Sequence, residues 1–125
     1  MLLDTKKIVI IGATNNRADP ANQAVRAYLE RQYKVFPVNP DETEVEGLRC
    51  YRSLDEIHEP VALAAIYVPP CEGLEYVEAL RGLGVSRVLF HPRAASGRLI
   101  LIVQGHEMDV EAIDAVKALE RAARA

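Results

Sequence analysis

With 125 residues, half of them apolar and 26% charged, the chain has the composition of a single globular domain with its own core, expected to span 1–125. A formal net charge of −3 without any cluster of Lys or Arg excludes a general polyanion binder, so no nucleic-acid partner is expected. No apolar run approaches the roughly 20 residues that cross a bilayer, the N-terminus lacks a signal-peptide pattern, and Cys50 and Cys71 form no CxxC or disulfide framework; a cytoplasmic protein with neither membrane contact nor metal is expected.

Ile8-Val9-Ile10-Ile11 is a run of four β-branched aliphatics, which reads as a strand from Lys7 to Ile11 buried on both faces. Gly12 ends it. The residues Gly12, Ala13, Thr14, Asn15, Asn16 and Arg17 make a small, polar loop that lets backbone amides approach a ligand, and such a loop suits phosphate. Pro20 fits a first helical position, Asp19 is a candidate N-cap, and Ala24, Val25, Tyr28 and Leu29 share one face of a helix from about Pro20 to Arg31. The free N–H groups and positive end of that helix are expected to point at whatever lies over the loop. A second strand runs from Lys34 to Val38, where Pro37-Val38-Asn39-Pro40 halts pairing and presents Asn39 at the sheet edge. A dinucleotide-binding unit carries an acid here, about 20 residues past a three-glycine loop. This chain offers Val38 and Asn39 after one glycine, which argues against NAD.

Asp41 to Glu46 is an acidic, turn-like excursion, and Gly47 starts a short extended piece through Tyr51. Ser53-Leu54-Asp55-Glu56 has the form of a capping box and predicts a short helix, ended by His58-Glu59-Pro60. Val61 to Val68 reads as a central parallel strand stopped by Pro69-Pro70. A helix from about Glu72 to Leu83 follows, with Leu74, Val77 and Leu80 inward and Gly84 as its C′ residue, and then a strand from Arg87 to Phe90. Beyond it the residues predict a polar link from His91 to Arg98, a strand from Leu99 to Val103, and a last helix from Glu107 to about Ala123 that turns Val110, Ile113, Val116 and Leu119 to the sheet. The alternation defines an α/β class: a Rossmann-like, doubly wound, mostly parallel open sheet of about five strands with helices on both faces. Its ligand crevice lies outside the carboxyl ends of the strands.

No GxSxG elbow, Walker lysine loop or HExxH is present, and no catalytic residue is assigned. His91, at a strand's carboxyl end, is the best candidate for proton transfer, against a plainer structural or ligand-contacting role. His106-Glu107 reads as a capping arrangement at a helix start. Both cysteines read as small buried hydrophobes, with redox reactivity of a helix-opening Cys71 as the alternative.

Four motifs carry a resemblance: Ile-Ile-Gly-Ala-Thr-Asn-Asn-Arg at 10 to 17, Pro-Val-Asn-Pro at 37 to 40, Gly-Leu-Arg-Cys-Tyr-Arg-Ser-Leu-Asp-Glu-Ile at 47 to 57, and Tyr-Val-Pro-Pro at 67 to 70. In this order they resemble the small single-domain CoA-binding proteins, which are similar to the CoA-binding domain of the succinyl-CoA synthetase α subunit. The likeness runs from Lys6 to Leu89. It implies coenzyme A or an acyl-CoA as ligand, with the backbone of Gly12 to Asn16 and the following helix N-terminus on the pyrophosphate and Arg17 as the nearest cation. Asn39 and Pro40 would border the adenosine, and Tyr67, Val68 and Pro69 would form an apolar wall. Arg26, Lys34 and Arg49 are candidates for the ribose phosphate. The family usually carries an aromatic-x-Gln-x-Gly motif after the fourth strand, where this chain has Leu89-Phe90-His91-Pro92-Arg93, so the far wall is left unassigned. The implied function is a non-catalytic carrier, sensor or regulator. The alternatives are a CoA-binding subunit of an acyl-CoA synthetase acting with a separate catalytic partner, and a degenerate Rossmann module working through protein contacts as a homo-oligomer.

Overall fold

The structure is a computed structural model that describes residues 6–124. Strand β1 (Lys7–Ile11), helix α1 (Pro20–Glu30) and strand β2 (Lys34–Val38) form the first unit. A small hairpin of β3 (Glu44–Val45) and β4 (Leu48–Arg49) leads through a 3-10 turn at Leu54–Glu56 to β5 (Leu63–Ile66). Then come α2 (Pro70–Gly73), a 3-10 turn at Leu74–Tyr76, α3 (Val77–Gly82) and β6 (Arg87–Phe90). A 3-10 turn at Pro92–Ala94, helix α4 (Gly97–Gly105), strand β7 (Asp109–Glu111) and helix α5 (Ala115–Arg124) complete the order.

The main sheet has five strands in the order β2-β1-β5-β6-β7, all of its pairings parallel. This is the Rossmann-like α/β sheet expected from the alternation of elements. β1 sits second from the edge, with Ile8 opposite Val35 on one side and Leu63 on the other. Because strand side chains alternate, Val9 and Ile11 enter a cluster with Leu80, Leu99 and Val103, while Ile8 and Ile10 enter a second with Val25, Tyr28, Ala115 and Leu119. Helices α3 and α4 therefore cover one face and α1 and α5 the other. Ile8 to Ile11 are all fully buried, each contributing about 1.5–3 kcal/mol of burial, which is the physical content of the uninterrupted aliphatic run. From β1 the chain crosses to β2 in one direction, and from β5 it proceeds to β6 and β7 in the other. The crevice of an open α/β sheet falls at this reversal, between the ends of β1 and β5.

Several expected elements are corrected. Leu99 to Val103 is not a strand but the body of α4, started by Ser96, whose hydroxyl accepts from the Leu99 N–H at 3.1 Å. Leu99 and Val103 are buried four residues apart while Leu101 between them is 70% exposed, a helical and not a strand pattern. Parallel β6 and β7 need a crossover of this length, and α4 supplies it. The last helix does not start at Glu107. Glu107 has φ +63° beyond the end of α4, and Val110 pairs opposite Val88 in β7 before α5 begins at Ala115. Consequently Val110 packs on the α4 face and Ile113, Val116 and Leu119 on the other, so the four share no single helix stripe. His106 and Glu107 accordingly close α4, donating to Val103 O and Gln104 O, and do not open a helix.

The helix expected over Glu72 to Leu83 is broken into α2, the 3-10 turn and α3. Val77 and Leu80 are buried as expected, but Leu74 is 47% exposed and Gly73 takes the inner position instead. A Cβ on Gly73 would lie 3.1 Å from Leu99 Cδ2, so the close packing of α2 on α4 accounts for the glycine. Leu54–Glu56 is a single 3-10 turn without the capping box. Ser53 makes no side-chain cap, and Glu56 Oε1 accepts from Arg52 N instead.

Candidate functional site

Gly12 ties three strand ends together. Its φ of +92° favours glycine, and a Cβ there would meet Val68 Cγ1 at 3.1 Å, Val68 N at 3.3 Å and the Tyr67 carbonyl carbon at 3.4 Å. Its N–H donates to Val38 O at 2.9 Å, which joins the end of β1 to that of β2. Asn39 Nδ2 donates to Ala13 O at 2.8 Å and so fixes the loop to the residue after β2. Around this junction lies a cavity of about 340 Å³ lined by Gly12, Val38, Asn39, Pro40, Tyr67, Val68 and Pro69. Six of the eleven residues expected at a cofactor site thus meet at one cavity at the carboxyl edge, namely Gly12, Asn39, Pro40, Tyr67, Val68 and Pro69.

Ala13 to Arg17 do not line that cavity. Ala13 is buried, and the loop turns away under the β3–β4 hairpin. The N–H groups of Ala13 and Thr14 donate to nothing among the described residues, whereas Asn15 N donates to Glu42 Oε2 at 3.0 Å and Asn16 N to Thr14 Oγ1 at 3.2 Å. Arg17, expected as the phosphate cation, is paired with Glu46 at 3.0 Å. The start of α1 is as expected in its Asp19 cap and Pro20, and that cap bears on the helix end. Asp19 caps it by accepting from Ala21 N at 2.9 Å, and Pro20 has no N–H, so the helix end is already answered by a carboxylate. Asp19 in turn takes Arg93 Nη2 at 3.1 Å.

Tyr67 lines the cavity and is also tied into the fold behind it. Its ring is buried on the α1–α5 face, its hydroxyl donates to Asp114 Oδ1 at 2.7 Å and accepts from Ala115 N at 3.2 Å, and burial with the Asp114 carboxylate raises its pKa. A second aromatic, Tyr76, lines the cavity as well, accompanied by Asp41, Glu72 and Glu75. Burial and the two neighbouring glutamates push the Tyr76 phenol up. All ionisable lining groups other than tyrosines are acidic, an environment hostile to phosphate inside the cavity itself. None of these four residues was expected from the sequence: Glu72, Glu75 and Tyr76 are aimed by the break between α2 and α3, and Asp41 by the turn after β2.

Asn22 was also missed. It is fully buried in the first turns of α1, its Nδ2 donating to Thr14 O at 2.8 Å and Glu46 Oε2 at 3.1 Å while its Oδ1 accepts from Arg26 Nε at 2.8 Å. Arg26 continues to Arg17 O at 2.7 Å, so its guanidinium braces the loop from behind. Lys34 pairs with Glu59, and Arg49 lies 4.5 Å over the Tyr51 ring and 3.6 Å from Glu56. His91 stands at the end of β6 against the Tyr67 ring, its Nδ1 accepting from Arg93 N at 3.2 Å. Burial and then the Arg93 cation lower its pKa, which keeps the imidazole neutral near pH 7.

Across α2 from the main cavity, a second one of about 260 Å³ is lined by Cys71, Leu74, Leu99 and Ile102 with Arg98 at its rim. Cys71 is exposed, contrary to the buried reading, because α2 turns it outward; Cys50 is buried as expected and its pKa is raised by that burial. One thiol is therefore expected to react with a disulfide reagent in the native protein and two after denaturation, with Cys71→Ser removing the native reaction. Native labelling of Cys50 at a similar rate would contradict the packing.

A parallel sheet whose reversal point carries a glycine turn is the architecture of Rossmann-type cofactor domains. The chain belongs to the CoA binding domain family, whose model matches residues 6–120. Among curated proteins it is similar to an ADP-forming acetate–CoA ligase of Methanocaldococcus jannaschii, 30% identical over 64 residues, which are 51% of this chain and 9% of that protein. It is also similar to the α subunit of the ADP-forming acetate–CoA ligase II of Pyrococcus furiosus, 41% identical over 63 residues, 50% of this chain and 14% of the subunit. The chain thus spans only a small part of these relatives. Among solved structures, a hypothetical protein from Pyrococcus horikoshii aligns with a TM-score of 0.87 at 29% identity, covering 94% of this chain and 83% of that one. A conserved hypothetical protein from Pyrococcus furiosus aligns at 0.77 with 31% identity, covering 84% and 90%. No helix among the described residues is long and apolar enough to cross a membrane.

Proposed function

We propose that this protein binds coenzyme A or an acyl-CoA at the carboxyl edge of the sheet, as a non-catalytic carrier, sensor or regulator. The observation that carries the reading is the Gly12 junction. There a family match to CoA binding domains coincides with a positive-φ glycine pressed on the end of β5 and with loop N–H groups at Ala13 and Thr14 that have no acceptor among the described residues. Those amides are suited to the pyrophosphate, since phosphate oxygens take backbone N–H groups as acceptors. The adjacent cavity, bounded by Asn39, Pro40, Val68, Pro69 and Tyr76, then takes an uncharged portion of the cofactor, because its carboxylates repel the phosphates.

A second reading, as the CoA-binding subunit of an acyl-CoA synthetase that works with a separate catalytic partner, is favoured by the ligase relatives of which this chain matches only a fraction. In both readings the ligand site is the same. Isothermal titration with CoA, NAD and ATP in parallel tests it: saturable one-to-one binding is expected for CoA alone. Absence of saturation with CoA up to about 100 μM, where an affinity near −6 kcal/mol would register, would overturn the reading.

A further inference from the structure

The phosphate loop already holds an anion of its own. Glu42, in the segment leading into β3, places Oε2 at 3.0 Å from Asn15 N and 3.1 Å from Asn15 Nδ2, and Asn15 Nδ2 also donates to Glu44 O at 2.7 Å. A carboxylate oxygen on a loop amide is chemically what a phosphate oxygen on that amide would be. A pyrophosphate that reaches from the Ala13 and Thr14 amides to the adjacent Asn15 N meets this carboxylate, and two anions cannot share the position, because like charges at hydrogen-bonding distance repel strongly. The loop's own cation cannot relieve this, since Arg17 is held by Glu46. Glu42 and Arg52 both line one surface depression of about 240 Å³, shared with the Arg49–Glu56 pair, and the Arg52 guanidinium makes no ion pair or hydrogen bond among the described residues.

Resting on the CoA reading above, we propose that Glu42 is a built-in competitor for the ligand's pyrophosphate: its carboxylate occupies Asn15 in the free protein and moves toward Arg52 when phosphate enters. Glu42 thereby sets the affinity of the site. The neutral isostere keeps the acceptor oxygen for Asn15 N but not the charge, so the loop stays braced while the competition weakens.

Titration calorimetry with CoA on the wild type, Glu42→Gln, Arg52→Ala and the double variant tests this, with thermal melts to verify folding. Glu42→Gln is expected to bind about tenfold tighter, the scale of one charge-assisted hydrogen bond removed from competition. Arg52→Ala is expected to weaken CoA binding in the wild type but not in the Glu42→Gln background, the signature of a residue that acts through Glu42. Equal or weaker binding by a folded Glu42→Gln overturns the proposal while leaving the CoA site standing. An Arg52→Ala effect of the same size in both backgrounds overturns the movement and makes Arg52 a direct phosphate ligand. Failure of both the wild type and Glu42→Gln to bind CoA overturns the CoA reading and this proposal with it.

Discussion

Gly12→Val is expected to abolish CoA binding and to lower stability by about 2–5 kcal/mol, the sum of a non-glycine residue at positive φ and an overpacked contact. The contact cannot be relieved by a side-chain swing alone. The added Cβ lies 3.3 Å from Val68 N and 3.4 Å from the Tyr67 carbonyl carbon, both main-chain atoms of the segment that ends β5. Either β5 shifts, which strains its pairing with β1, or the Gly12 turn opens and the Ala13 and Thr14 amides lose their direction. Gly12→Ala meets the same atoms with one carbon and is expected to show the smaller end of the range. Thermal unfolding should record a drop on the order of 10 °C for valine, and calorimetry no CoA heat. A valine variant that melts with the wild type would show that the two strand ends are not pressed together here.

The second large effect is expected at Asn22. Asn22→Ala removes one side chain that satisfies Thr14 O, Glu46 Oε2 and Arg26 Nε in a fully buried position. Leaving such groups unpaired costs about 1–3 kcal/mol each where water cannot replace the partner, so a net loss of about 2–4 kcal/mol is expected. Asn22→Asp should cost at least as much. It deletes the amide donor to Thr14 O and sets a second carboxylate beside Glu46. Both variants release the back of the loop and should weaken CoA binding beyond their loss of stability. Chemical denaturation separates the two effects when binding is compared where all variants remain folded. An Asn22→Asp protein as stable as the wild type would contradict the described hydrogen bonds.

The first half of the fold was legible because its signals are local. Four β-branched residues mark β1, one glycine marks its turn, Asp19-Pro20 marks the start of α1, and prolines mark the ends of β2 and β5. The order of these signals also pointed to the edge where Gly12, Asn39 and Val68 meet. The last third was less legible. Leu99-Ile100-Leu101-Ile102-Val103 suits either a strand or a helix by composition, and the deciding facts are the Ser96 cap and a parallel neighbour, β7, so short that it resembled the start of the next helix. The charge environment of the loop could not be read at all. Glu42 and Glu46 reach Asn15 and Arg17 across 27 and 29 residues of sequence, by way of a hairpin whose placement depends on Val45 being buried. Asn22 looked like an ordinary polar helix residue because nothing local says that the loop folds back over it. The anchoring of Tyr67 was not legible either, because Asp114 and Ala115, which hold its hydroxyl, lie far along the chain.

The most direct test of the central claim is a titration of the 15N-labelled protein with CoA, followed by the backbone amide resonances. Binding at the Gly12 junction predicts the largest shifts at Gly12 to Asn16, with Asn39 and Val68 following, and a distinct displacement of Asn15 as its amide exchanges the Glu42 carboxylate for phosphate. Saturable shifts confined to another surface, or no shifts at these amides with CoA in excess, would contradict it.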